Sequence, residues 1–162
     1  MNAPTDLILE TAADTLRFDA RTGALRSLRP QSAPDQEFIA GPQLPALVIQ
    51  YLDEHQDFRQ WRSTQAEHTQ VELVGDEVRM FFSKIAGRNL EAVLRVRGGP
   101  DQRFSRWRLW LRNHTGLQIT DVQFPMAVSP YQLAGTPGRE AVLWPLNAGS
   151  LIQAPKPQDL AP

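Results

Sequence analysis

Hydrophobic and polar positions alternate from Asp6 to about Gly99. A period of two places successive side chains on opposite faces of an extended chain, so it predicts β-strands. Leu7-Ile8-Leu9-Glu10 reads as a short apolar strand. Asp14–Ala20 alternates with Leu16, Phe18 and Ala20 on one side, and Ala24–Arg29 follows after Thr22-Gly23. Glycine there supplies the positive φ that a tight hairpin needs. Three strands joined by short turns make a meander. Residues 30–45 hold Pro30, Pro34, Gly41, Pro42 and Pro45 and read as a loop, with a brief extended piece at Phe38-Ile39. Ala46–Tyr51 is nearly all apolar and reads as a buried strand. Leu52 to Gln65 is polar and irregular, a long loop or a broken strand.

Thr69–Val74 and Glu77–Ile85 flank the turn dipeptide Gly75-Asp76. Leu90–Arg97 and Phe104–Asn113 flank the segment Gly98–Arg103. If Arg97 pairs with Phe104, then Leu90, Ala92, Leu94 and Val96 share a face with Leu111, Leu109, Trp107 and Ser105. The other face collects Glu91, Val93, Arg95 and Arg97 with Trp110, Arg108, Arg106 and Phe104. A one-residue slip would mix apolar with charged positions, so the parity of this pairing is strongly specified. Leu117–Phe124 alternates again, and Met126–Val128, Ala141–Leu146 and Ser150–Gln153 are shorter apolar pieces. About ten short strands separated by turn residues, with no convincing helical period, predict an all-β antiparallel β-sandwich with few or no helices. The sandwich is expected over residues 1–153, and the Pro-rich residues 154–162 are expected to be a linker or tail.

Composition narrows the function more by exclusion. A chain of 162 residues suits one domain. The formal net charge is −1, from 17 basic and 18 acidic residues, which argues against nucleic acid as a partner. Apolar residues make up 41%, enough for a core. Cysteine is absent, which removes disulfides, thiolate metal sites and a cysteine nucleophile. The N-terminus has neither a basic segment nor an apolar one of the signal-peptide kind, so a cytoplasmic location is expected. No apolar run approaches the roughly 20 residues of a membrane span, so no membrane is expected as a partner. Fifteen of the basic residues are arginine, a skew that genome base composition explains. Asn113-His114-Thr115 fits a glycosylation sequon, which without secretion is a chance match.

No P-loop, GxGxxG, GxSxG or HExxH motif is present, and no cofactor is expected. His55 stands among Asp53, Glu54 and Asp57, but only His68 and His114 remain elsewhere, so this reads as a solvated acidic loop and no metal site is expected. Glu72 and Glu91 alternate with apolar neighbours and read as solvent-face residues, and no residue is assigned a catalytic role. The sharpest feature is the face carrying Arg95, Arg97, Arg106, Arg108 and Trp110. It reads as a solvent face whose arginines pair with nearby acids, as a docking face for a partner domain, or as a platform for a sugar ring or acidic group. Trp61, between Arg59 and Arg62, shares this ambiguity, whereas Trp107 and Trp144 fall on apolar runs and read as core.

The order of these features resembles a known group. Leu9-Glu10-Thr11, Thr15–Asp19 and Thr22–Leu28 are similar to the start of bacterial glycoside hydrolase-like proteins. Those open with a β-sandwich related to the galactose mutarotase-like supersandwich. Phe104–Trp107, Leu111–Asn113 and Thr115-Gly116 leading into Ile119–Pro125 look similar to the same domain, and Pro145–Gly149 would lead toward a barrel. The resemblance implies a supersandwich-like domain, non-catalytic by itself, that buttresses a (β/α)8 glycosidase-like barrel. Its implied partners are that catalytic domain or another chain, and a carbohydrate. It transfers no catalytic residue, and the Pro-rich end at Pro155–Pro162 would be a boundary between modules. The alternatives are a stand-alone carbohydrate-binding module and a mutarotase-like sugar isomerase. The His and Glu constellation of the latter cannot be placed on His55, His68 or His114.

Overall fold

The fold was read from a computed structural model, which describes residues 6–128 in full and the backbone of residues 141–144 and 150–153. The chain divides into two compact units, Met1–Val128 and Ser129–Pro162. The described residues are all-β and sandwich-like, with one turn of 3-10 helix at Ser63–Gln65. In the first unit β1 (Asp6–Glu10), β2 (Asp14–Asp19) and β3 (Leu25–Pro30) form an antiparallel meander. β4 (Val48–Leu52), β5 (Phe58–Arg62) and β10 (Gln118–Gln123) form a second sheet in the order β10-β4-β5. β6 (Ala66–Val74), β7 (Glu77–Ile85), β8 (Leu90–Arg97) and β9 (Arg106–Asn113) form a four-stranded meander. In the second unit β11 (Ala141–Trp144) and β12 (Ser150–Gln153) pair as an antiparallel hairpin. The expected tail, 154–162, and the side chain of Trp144 lie outside the described residues.

Alternation sets which face of each sheet is buried. Val78, Met80 and Phe82 of β7 and Leu90, Ala92, Leu94 and Val96 of β8 form the inner face of the four-stranded sheet, and all are buried. Leu9, Leu16, Phe18 and Leu25 from the first sheet and Ile49 and Trp61 from the second join the same core. Each such side chain contributes about 1.5–3 kcal/mol when fully buried. Trp107 of β9 joins the layers. Its ring lies 5.6 Å from Phe18 and 6.2 Å from Phe124, and its indole N–H donates to Ser105 Oγ at 2.9 Å. The core expected for Trp107 is therefore present, with the ring half-buried.

The β8–β9 pairing differs from the sequence expectation by two residues. Arg97 faces Arg106, and Phe104 lies in the connection, 69% exposed. A shift of two keeps every side chain on its expected face, so the parity stands while the connection lengthens. The reason lies in the loop. Gly98 N–H donates to Asp76 O, Gly99 N–H to Glu10 O, and Ala12 N–H to Gln102 O, all within 2.9 Å. The backbone from Gly98 to Gln102 is thus spent on β1 and the β6–β7 turn and cannot extend the hairpin. This approach needs glycine. A Cβ on Gly98 would sit 2.9 Å from Glu10 O and 3.0 Å from Leu9 Cγ.

Two carboxylates fasten the loops. Asp19 is buried at the end of β2, and its Oδ1 accepts the N–H groups of Arg21 and Thr22 at 2.8 Å. Arg26 pairs with its other oxygen. Burial raises the Asp19 pKa, but these hydrogen bonds and the Arg26 charge outweigh it and hold it at about 2. Glu37 ties residues 30–45 to β3. It accepts Ser27 Oγ–H at 2.6 Å, the N–H groups of Leu28 and Ile39, and Arg29 Nε–H. Burial again opposes, yet the four donors hold its pKa at about 2. The extended piece expected at Phe38-Ile39 is therefore not a strand. It is a loop held by Glu37 and by Phe38 N–H donating to Leu28 O.

Two outcomes follow from this packing. Both carboxylates bind fewer protons folded than unfolded, so stability is full above about pH 5 and falls as pH drops from 4.5 toward 2. Asp19 contributes about 2 kcal/mol at neutral pH, and Glu37 a similar amount, because solvent screening offsets its larger shift. Urea melts across that range will show the slope, and Glu37→Gln will flatten it. Gly98→Ala will lower the unfolding free energy by about 1–3 kcal/mol, read as a lower urea midpoint, because β1 must move off the added methyl.

Candidate arginine and tryptophan face

The outer face of the four-stranded sheet is built row by row from the register. β6 to β9 align Val74, Glu77, Arg97 and Arg106 in one row, then Glu72, Arg79, Arg95 and Arg108 in the next. The third row is Gln70, Phe81, Val93 and Trp110, and the fourth is His68, Ser83, Glu91 and Arg112. An apolar row therefore runs beside two rows rich in arginine. Six arginines (Arg79, Arg95, Arg97, Arg106, Arg108, Arg112) face three glutamates (Glu72, Glu77, Glu91), which leaves a local charge of +3 on a chain of net charge −1.

The acids are unevenly used. Glu77 accepts Arg79 Nε–H at 2.6 Å and lies 4.0 Å from Arg95 Nε. The hydrogen bond from Arg79 lowers its pKa against the opposing effect of burial, and the charges of Arg79, Arg95 and Arg97 add to the lowering. Glu91 pairs with Arg112 at 3.7 Å. Among the described residues no carboxylate lies within 4.0 Å of Arg106 or Arg108. Arg95 also covers one side of the Trp110 ring, 5.1 Å from its centroid, in a cation–π contact. Trp110 remains 45% exposed and Phe81 37%.

Glu77, Arg95, Arg97, Arg106, Arg108 and Trp110 line a shallow hollow of about 120 Å³. A second hollow of about 490 Å³ lies across Trp110 and is lined by Phe81, Glu91, Val93, Arg95, Leu111 and Arg112. The structure thus brings together Arg95, Arg97, Arg106, Arg108 and Trp110. It separates Trp61 from them. Trp61 is 4% exposed and stacks on Tyr51 with centroids 3.6 Å apart and planes at 14°. The turn residues Asp53–Asp57 let β5 fold back on β4, and that pairing carries Trp61 into the core while Arg59 and Arg62 stay exposed.

Sequence reasoning missed the β7 side of the face, Glu77, Arg79 and Phe81. The turn at Gly75-Asp76 already implied that β7 lies beside β6, and β7 alternates as cleanly as β8. Carrying the parity of β8 one strand further would have placed them. The acidic loop around His55 is used by its own turn. Asp53 Oδ1 accepts the N–H groups of His55 and Asp57, and Oδ2 pairs with Arg59 at 3.0 Å. Among the described residues no three His, Asp or Glu side chains are grouped to hold a metal ion.

No protein-family model matches the chain, and a search of curated proteins returns no match.

The register sets Arg97 against Arg106 and Arg95 against Arg108, two like-charge pairs directly across neighbouring strands. Such pairs cost stability, roughly 0.2–1 kcal/mol each. Arg108→Gln will therefore raise the thermal midpoint slightly, and added salt will stabilise the parent protein more than this variant. Equal salt dependence in the two would contradict the assigned pairing.

Proposed function

We propose that the chain is a non-catalytic β-sandwich module of a carbohydrate-active, glycoside hydrolase-like protein, and that the outer face of β6–β9 is its binding surface for carbohydrate. The observation that carries this reading is the half-exposed Trp110 flanked by guanidinium groups on a rigid sheet. An indole offers a flat apolar surface to the C–H face of a pyranose, and guanidinium groups reach its oxygens. Glu77, the carboxylate that lines the hollow, is not suited to act as a general acid. A general acid at neutral pH needs a raised carboxyl pKa, whereas Glu77 is lowered by its arginines.

The second reading makes the same face the seat of a catalytic barrel, with the sandwich as its buttress. What favours it is the local enrichment in Trp and Arg, the residues common at interface centres. The two readings part on a simple titration. Oligosaccharides added to the chain will change its tryptophan emission, and Trp110→Ala will weaken binding at least roughly tenfold, a loss of about 1.4 kcal/mol. Trp61 and the core are untouched by that change, so the variant will keep its fold. No response to any saccharide would leave the buttress reading.

A further inference from the structure

We infer that the outer face of β6–β9 selects carboxylated saccharides, chains that carry uronic-acid units, over neutral ones. The inference rests on the carbohydrate-binding reading above and adds the ligand's charge. It follows from the donor and acceptor inventory of the 120 Å³ hollow. Arg95, Arg97, Arg106 and Arg108 present only donors, and the Trp110 indole presents one more. A sugar hydroxyl both donates and accepts, so a site for a neutral sugar needs acceptors as well. The one carboxylate lining it is Glu77, whose Oε1 accepts from Arg79 and lies 4.0 Å from Arg95, so four guanidinium groups stand against a single acid. A lining in which donors far outnumber acceptors matches a ligand group that only accepts, as the carboxylate of a uronic acid does.

The register supplies the second argument. Arg97 against Arg106 and Arg95 against Arg108 are repulsive pairs in the free protein. An anion seated between the members of a pair turns repulsion into two charge-assisted contacts, so the gain exceeds that of an isolated surface ion pair. Among the described residues, Arg106 and Arg108 have no carboxylate of their own to give up first. An acidic protein segment fits less well. A protein interface buries roughly 800 Å² per partner around an apolar centre, whereas this face offers a single apolar row, Phe81, Val93 and Trp110, beside its arginines. That row suits one ring against Trp110 with its carboxylate among the arginines.

The test uses the full chain and three probes: oligogalacturonate, its fully methyl-esterified form, and poly-glutamate. Calorimetry should give binding to oligogalacturonate at least tenfold tighter than to the ester, weakening as salt rises. The Arg106→Gln, Arg108→Gln double variant should lose at least tenfold of that affinity while its circular dichroism spectrum is unchanged, since both side chains are exposed. Trp110→Ala should weaken it as well. Equal affinity for the acid and the ester would overturn the charge selectivity and leave the carbohydrate reading standing. Binding of neither saccharide would overturn both. Poly-glutamate binding as tight as oligogalacturonate, and unaffected by Trp110→Ala, would overturn the inference in favour of an acidic protein partner.

Discussion

The pairing of β8 with β9 is the constraint on which the rest depends. Leu90, Ala92, Leu94 and Val96 must face inward, because they complete the core with Phe82, Met80 and Val78. Once they do, Arg95 and Arg97 have nowhere to go but the opposite face. The same alternation in β9 sends Trp107, Leu109 and Leu111 to the core side and Arg106, Arg108 and Trp110 outward. The hydrophobic effect thus fixes the position of charges it does not itself touch. An arrangement that sets arginine against arginine is not what the sheet would choose for its own stability, and local conflict of this kind is where a binding function is best sought.

The loops hold this sheet in place by a different kind of interaction. Gly98 and Gly99 run against β1 so closely that a methyl group has no room at Gly98, and their hydrogen bonds end the β8–β9 hairpin at Arg97 and Arg106. Asp19 and Glu37 act on the first sheet, at the end of β2 and along β3. Asp19 gathers the N–H groups of the turn residues Arg21 and Thr22, and Glu37 those of Leu28 in β3 and Ile39 in the following loop. Their lowered pKa values record how much of the loop structure rests on a negative charge being present. The face and the fasteners are therefore separate systems, so changes at Arg106, Arg108 and Trp110 can alter binding and leave folding largely intact.

Much of this was legible in the sequence because alternation is a local property. β7 and β8 carry the bounds that their hydrophobic pattern implies, and β1 to β4 and β10 differ from it by a residue or two. β5 was legible only as one of two alternatives, a long loop or a broken strand, since Phe58-Arg59-Gln60-Trp61-Arg62 has one buried side chain and four exposed ones. β6 begins at Ala66, before any apolar pattern does. The parity of the arginine face could be read, but its absolute register could not. The two-residue difference is decided by hydrogen bonds to β1, some ninety residues away, and no pattern within β8 and β9 encodes those. Trp61 was ambiguous for the same reason: it stands in a polar stretch between Arg59 and Arg62, and only the pairing of β5 with β4 turns it toward Tyr51. Glu37 gave no cue at all, because a carboxylate that gathers a Pro-rich loop resembles any other surface acid.

The absence of cysteine makes the register directly measurable. Residues directly opposed across an antiparallel pair have Cα atoms about 4.5–5.5 Å apart, within reach of a disulfide. Arg97→Cys combined with Arg106→Cys will close an intramolecular disulfide on mild oxidation, while Arg97→Cys combined with Phe104→Cys will not. Mass analysis of the oxidised chains reads the result without ambiguity. Closure of the second pair in preference to the first would contradict the register, and with it the rows of arginine on which the binding face is built.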